Sequence, residues 1–212
     1  LAFTASTDAN ESASGTIRVI VDTPPEFTES AMPDTIQFTE DESDDTLILT
    51  ATDPDERAIL SYSVLEPDST VNTTVSIDPS TRRVTFGARL DYSGTEVRRF
   101  EVRDQFGLAD TTEIRVVVTP VNDPPEYIKT FPEDITIGML EEFTLALGEF
   151  VNDVDDEFED LHFTFTGVDS IAFEVSPENA QLTITAVPPF MGNRRALVVV
   201  ADPSNGTATQ EI

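Results

Sequence analysis

Apolar side chains fall at every second position in a series of short runs along this chain. In TLILTAT (46–52), Leu47, Leu49 and Ala51 share one face. In LSYSV (60–64), Leu60, Tyr62 and Val64 point one way and two serines the other. TIQFTE (35–40), TVSI (74–77), RVTF (83–86), FEV (100–102) and IRVVV (114–118) repeat the theme. A period of two is that of a half-buried β-strand, and turn residues separate the runs. The second half shows DITI (134–137), FTLAL (143–147), LHFTF (161–165), FEV (173–175), QLTIT (181–185), ALVVVA (196–201) and the start of another run at TATQEI (207–212). No stretch carries an apolar stripe of helical period; TEDESDD (39–45) is acidic but has no such stripe. About seven short alternating strands per hundred residues imply an all-β fold of two antiparallel Greek-key β-sandwiches in tandem, without substantial helix.

Two short motifs mark the period. VDTPPEF (21–27) and VNDPPEY (121–127) each end a β-like run and continue through a Pro-Pro step. Paired prolines give no N–H and favour extended backbone, so each motif reads as a stiff link between modules. Such self-similarity indicates a repeat array. The order strand, Asp, polar turn, strand recurs three times, with the Asp just after a strand at Asp8, Asp104 and Asp202. The reading is therefore residues 1–21 as the closing strand hairpin of a preceding repeat, 22–121 as one repeat, and 122–212 as a second whose last strand is truncated. An unfinished edge of that kind invites a strand from a neighbouring chain.

Charge alters the picture most. Forty-one acidic residues face 12 basic ones, a net charge of −29. This disfavours nucleic acid and anionic lipid as partners. No apolar run is long enough to cross a bilayer, so no membrane insertion is expected of this segment. The chain has no cysteine. Its single histidine, His162, alternates away from the apolar face of its strand and has no second His or Cys for a zinc site or catalytic triad. With no Trp and only three Tyr, a sugar-stacking glycosidase cleft is not expected either. The chain reads as a non-enzyme. N-x-S/T sequons stand at Asn10, Asn72 and Asn205.

The carboxylates are not scattered at random. Asp-x-Asp follows the second strand of each repeat, at Asp53 and Asp55 and again at Asp153 and Asp155, the latter extended by Asp156. An Asp follows the sixth strand, at Asp104 and Asp202. The links contribute Asp22, then Asn122 with Asp123. Glu40 closes the first strand and Asp91 follows the fifth in LDYSG (90–94). Asp-x-Asp in a turn aims two carboxylates at one point, which suits the six to eight oxygens of Ca²⁺. A single copy is equally a polar loop closed by Asx turns.

Taken together these motifs resemble a known family. TEDE, LTATDPDE, LDYSG, FEVRD and VTPVNDPPEY closely resemble the motifs of a cadherin repeat, and VTPVNDPP looks like the form found in cadherin-like repeats of long bacterial and archaeal surface proteins. The second repeat, with FVNDVDDE and VVVADPSNGTAT, resembles the Ig-like, dystroglycan-type cadherin relatives. The resemblance implies calcium between successive repeats, with ligands from the bottom of one, the link and the top of the next. It would assign Glu40, Asp91, Asn122, Asp123, Asp153, Asp155 and Asp202 to one junction, and Asp22, Asp53, Asp55 and Asp104 to the junction before it. Ser93, Pro120 and Pro124 stand where the family carries further ligands, which implies few and weak ions. The implied role is that of a structural or adhesive segment of an extracellular surface protein, a stalk or adhesin whose partners are adjacent repeats, other copies, or a surface glycan or protein. The alternatives are a spacer or carbohydrate-binding module of a secreted enzyme, and a subunit of a self-assembling filament.

Overall fold

The computed structural model describes residues 2–6, 12–16, 21–55, 57–66, 71–167, 169–189 and 191–212. Asp8 and Asn10 lie outside them. The chain divides into two compact units, Leu1–Pro120 and Val121–Ile212. Strands make up the regular structure; among the described residues the helical pieces are single 3-10 turns of three residues, such as Glu29–Ala31 and Pro177–Asn179.

The chain opens with an antiparallel hairpin of β1 (Ala2–Ser6) and β2 (Ser12–Thr16), which form a sheet of their own. The sandwich of unit 1 follows: β3 (Glu26–Phe27), β4 (Thr35–Thr39), β5 (Ala51–Thr52), β6 (Ser61–Val64), β7 (Thr73–Ile77), β8 (Val84–Ala88), β9 (Gly94–Arg103) and β10 (Ala109–Thr119). One sheet has the order β4-β10-β9-β6; facing it are the pairs β3-β5 and β7-β8. The inward positions read from the alternation are the core: Ile36, Phe38, Leu47, Leu49, Val75, Val84, Phe86, Phe100, Val102, Ile114, Val116 and Val118 are all buried. Each such side chain contributes about 1.5–3 kcal/mol when fully buried.

Two details depart from a plain antiparallel ladder. β4 runs parallel to β10, with Arg115 opposite Thr35 and Thr119 opposite Thr39. The first strand of the unit starts beside β5, breaks at the turn Glu29–Ala31 and Pro33, and crosses to the other sheet without reversing, so it meets β10 in the same direction. The run 46–52 is regular only at β5. Its earlier part bonds irregularly to β8, through Val84 N–H to Leu47 carbonyl at 2.9 Å and Leu49 N–H to Arg82 carbonyl at 3.0 Å. The segment thereby passes from β8 to β3.

Strand β9 presents Glu96, Arg98, Phe100 and Val102 inward, so its apolar face continues into a charged one. Arg98 is fully buried. Its guanidinium donates to the Thr73 carbonyl, to Thr73 Oγ1 at 3.2 Å and to the Glu66 carbonyl at 3.1 Å. The Glu96 carboxylate accepts from the Asn72 and Thr73 amides, each at 2.9 Å, and from the Thr73 hydroxyl at 2.7 Å. Asn72, one of the sequon residues, also turns its side-chain amide onto Glu96, at 3.3 Å. Burial pushes Glu96 up, but these amides, the hydroxyl and the Arg98 charge outweigh it and hold the carboxyl below its ordinary 4.5. A depressed acid supports the fold above its unfolded pKa and loses that contribution as pH falls through the folded one. The melting temperature of the wild type is therefore expected to fall more steeply between about pH 5 and pH 3 than that of Glu96→Gln. Parallel pH profiles would show that Glu96 adds nothing.

Unit 2 comprises β11 (Glu126–Tyr127), β12 (Glu142–Ala146), β13 (Val151–Asn152), β14 (His162–Thr166), β15 (Ile171–Ser176), β16 (Gln181–Ala186), β17 (Leu197–Ala201) and β18 (Thr207–Glu211). One sheet is β12-β16-β15, the other β14-β17-β18, and β11 pairs with β13. Leu147, Phe150, Leu161, Leu182, Ile184, Val198 and Val200 form the core, with the Phe131 and Phe150 rings stacked at 5.1 Å. His162 is exposed, as its place in the alternation requires.

The expected strand at 134–137 is absent: the segment has no ladder partner among the described residues, although Ile135 and Ile137 pack against the core. In unit 1 the equivalent strand β4 pairs with the second half of β10. Among the described residues of unit 2, none offers the segment 134–137 such a ladder. The Gln210 side chain serves the chain just before it. With the amide suitably turned, it accepts from Phe131 N–H at 2.9 Å and donates to the Lys129 carbonyl at 3.3 Å.

Candidate metal centres

Each unit gathers carboxylates at the end where its link enters, and the same local devices position them. In unit 1, Asp53 Oδ1 accepts the Asp55 amide at 2.8 Å, an Asx turn that fixes the carboxylate. Asp55 Oδ2 in turn accepts the link amide of Thr23 at 2.7 Å. Asp104, 6% exposed, lies between β9 and β10, where its Oδ1 accepts three successive amides, from Phe106 (2.8 Å), Gly107 (2.7 Å) and Leu108 (2.9 Å). These bonds satisfy one oxygen of Asp53 and of Asp104 and leave the other without a partner. Asp22 Oδ1, Asp53 Oδ2 and Asp104 Oδ2 are all buried and make no hydrogen bond. Burial, followed by repulsion from Asp104, Asp55 and Asp53, pushes the Asp22 carboxyl up from its usual range.

Unit 2 repeats the arrangement with one exchange. Asp153 Oδ1 accepts the Asp155 and Asp156 amides at 2.9 and 3.1 Å, and its Oδ2 is buried without a partner. Asp155 Oδ2 accepts the link amide of Asp123 at 2.7 Å, matching Asp55 and Thr23. Asp202, 5% exposed, accepts the Gly206 amide on Oδ1 at 2.8 Å. Its Oδ2, however, accepts the Asn122 side-chain amide at 2.8 Å, and that bond leads the influences holding Asp202 below its usual range against the opposing effect of burial. One oxygen each from Asp153, Asp156 and Asp202 lie within 4.8 Å of one another. Burial and the surrounding carboxylates, Asp153 and Asp202 foremost, push Asp156 up. Gly206 makes room for the group: a Cβ there would run into the Asp202 carboxylate and come within 2.9 Å of Pro124.

The structure thus brings Asp22, Asp53, Asp55 and Asp104 together in unit 1; in unit 2 it gathers Asp153 with Asp202, joins Asn122 to Asp202, and brings Asp123 in only through its backbone amide on Asp155. It adds Asp156, which belongs to the same acidic turn but is not among the ligands that the family resemblance implies; nothing in the sequence says which of two adjacent carboxylates the link amide will claim. Glu40 and Asp91 belong to the other end of unit 1 from Asp104. The Glu40 amide bonds the Thr119 carbonyl at 3.0 Å, at the far end of β10 from Asp104, and its side chain is buried. Asp91 is exposed in a left-handed turn (φ 55°), three residues before Gly94, which pairs with Val118 at that same far end. β10 is 11 residues long, so about 35 Å of strand separates the two ends.

The groups are built on carboxylate oxygens, with no histidine or cysteine among their residues, which suits a hard divalent cation. The unpartnered oxygens are the test of fit, since a buried acceptor without a donor is costly unless something positive meets it.

No family model and no curated protein matches the sequence. Solved structures do match. The human desmocollin-1 ectodomain aligns at 19% identity over 90% of this chain and 40% of that one, with a TM-score of 0.55. Extracellular cadherin domains 1–5 of protocadherin gamma B2 align at 21% over 100% and 43%, with a TM-score of 0.56. Mouse cadherin-23 EC22-24 aligns at 19% over 99% and 71%, with a TM-score of 0.50. The chain has the cadherin-repeat fold. It spans about two fifths of the desmocollin and protocadherin chains. In cadherin-repeat terms, the acidic groups sit where each repeat begins, and the Pro-Pro step of each link leads directly out of them into β3 or β11. Among the described residues no helix is long and apolar enough to cross a membrane.

Proposed function

We propose that this chain is a structural and adhesive, non-catalytic segment of a long extracellular surface protein, a stalk or adhesin built from cadherin-like repeats that bind calcium at their acidic entry ends. Asp22, Asp53, Asp55 and Asp104 would hold the ion in the first repeat; Asn122, Asp153, Asp155, Asp156 and Asp202 would do so in the second, with Asp123 in its link. Glu40 and Asp91, at the opposite end of unit 1, would add ligands there, as the family resemblance implies. The observation that carries the reading is the recurrence of one construction in both units: an Asx-turned Asp and a post-strand Asp, each anchored by backbone amides through one oxygen and turning the other into a shared acidic group. A bound cation supplies the positive charge that lets these carboxylates converge, and so fixes the link against the body of its repeat.

Calorimetric titration of the chelator-treated chain is expected to show calcium binding in the range of about 10⁻⁴–10⁻³ M typical of extracellular modules, with magnesium much weaker. Asp53→Asn and Asp153→Asn should each remove part of the heat. Absence of binding heat, together with identical melting in EDTA and in millimolar calcium, would refute the calcium reading.

A further inference from the structure

The two entry ends are not equivalent: they differ at one position of the link. Asp22 and Asn122 occupy the same place, each one residue before a link amide (Thr23, Asp123) bonded at 2.7 Å to the second Asp of the turn. At that place unit 1 carries a carboxylate and unit 2 an amide. The amide donates at 2.8 Å to Asp202 Oδ2, the oxygen equivalent to Asp104 Oδ2. Asp104 is 6% exposed and its Oδ2 has no partner, and neither have Asp22 Oδ1 and Asp53 Oδ2. In unit 2 only Asp153 Oδ2, among the described residues, is left in that state.

We infer that Asn122 is an internal stand-in for the cation: its amide gives the second link an additional tie, to Asp202, whereas the first link, with Asp22 in that place, has only its Thr23 amide bond to Asp55 until a cation enters. The inference rests on the calcium reading for what orders unit 1, but its ion-free half stands without it. The physical cause is local. A donor from a neutral amide satisfies a buried carboxylate oxygen, while a third carboxylate at the same spot adds repulsion and a further desolvated acceptor. Asn122 acts through Asp202 as a positioning residue. The design would give one end whose order follows ambient calcium and one that keeps its order when calcium falls.

The link amides report this directly, because Pro24 and Pro124 follow them and each has one acceptor. Hydrogen exchange of the full chain, read per residue by NMR, is expected in EDTA to show Asp123 N–H protected on the order of tenfold or more above Thr23 N–H, each normalised to its intrinsic rate. Adding calcium should slow Thr23 strongly and Asp123 little. Asp22→Asn should protect Thr23 in EDTA, and Asn122→Asp should abolish the protection of Asp123. Equal protection of the two amides in EDTA, or variants that leave both rates unchanged, would overturn the inference. If calcium has no effect on Thr23 while the contrast in EDTA and its reversal by the two variants persist, the calcium reading falls and the role of Asn122 stands.

Discussion

Arg98→Ala is expected to destabilise unit 1 by about 3–5 kcal/mol, the usual consequence of removing one partner from a buried charged network. Arg98 belongs to β9, in the four-stranded sheet, and Thr73 to β7, in the facing pair. The guanidinium and Glu96 therefore bracket Thr73 and hold the two layers of the sandwich together through polar bonds rather than packing. Alanine would leave the carbonyls of Thr73 and Glu66 without this donor, strip the Glu96 carboxylate of a neighbouring cation, and open a cavity at the edge of the Phe86–Phe100 contact layer. Arg98→Lys should recover only part of the loss, since one ammonium cannot reproduce a fork reaching two carbonyls. The measurement is chemical unfolding followed through a probe in unit 1, because a two-unit chain need not melt in one step. A loss below about 1 kcal/mol would mean that the layers are held by apolar packing alone.

Much of the fold is legible in the residue pattern because one face of each strand is buried and the other is wet. Period-two alternation puts Leu47, Leu49, Val84, Phe86, Phe100 and Val116 on the buried face, where the fold has them, and sets His162 outward. The same rule, extended two and four residues back from Phe100, puts Arg98 and Glu96 inside; their polarity draws attention away from a register that already fixes them. The segment 134–137 shows the opposite failure. Alternation says which face of a strand is buried but not whether a partner exists, and a ladder depends on residues far away in the chain. Resemblance in motif and the solved cadherin structures agree on the fold. For the acidic ends, the turn and post-strand Asp positions are legible from spacing. The choice between Asp155 and Asp156 is not, because it turns on which carboxylate accepts the Asp123 amide. Nor is the asymmetry of the two links: Asp22 and Asn122 look interchangeable as oxygen ligands, and only the bond from Asn122 to Asp202 separates them.

Asp104 carries two loads that substitution can separate. Its Oδ1 caps three consecutive amides of the turn into β10, and its Oδ2 faces the acidic group with no donor. Asp104→Ala removes both. In EDTA the three amides lose a charged acceptor, a cost of about 2–4 kcal/mol. In calcium the wild type should gain a further ~2.7 kcal/mol at a hundredfold excess over the dissociation constant, a gain that the variant forgoes at this end. The gap between the two proteins should therefore widen to about 5–7 kcal/mol in calcium. Asp104→Asn keeps an oxygen for the amides and replaces the free one with a donor, much as Asn122 supplies a donor to Asp202 in the second unit. Its stability in EDTA should equal or exceed that of the wild type, because one buried negative charge has gone, while the response to calcium in unit 1 should be lost. Unfolding curves of the three proteins in EDTA and in calcium decide the matter. If the alanine and asparagine variants behave alike in EDTA, the amide cap contributes nothing; if either retains the full calcium response, Asp104 is not a ligand.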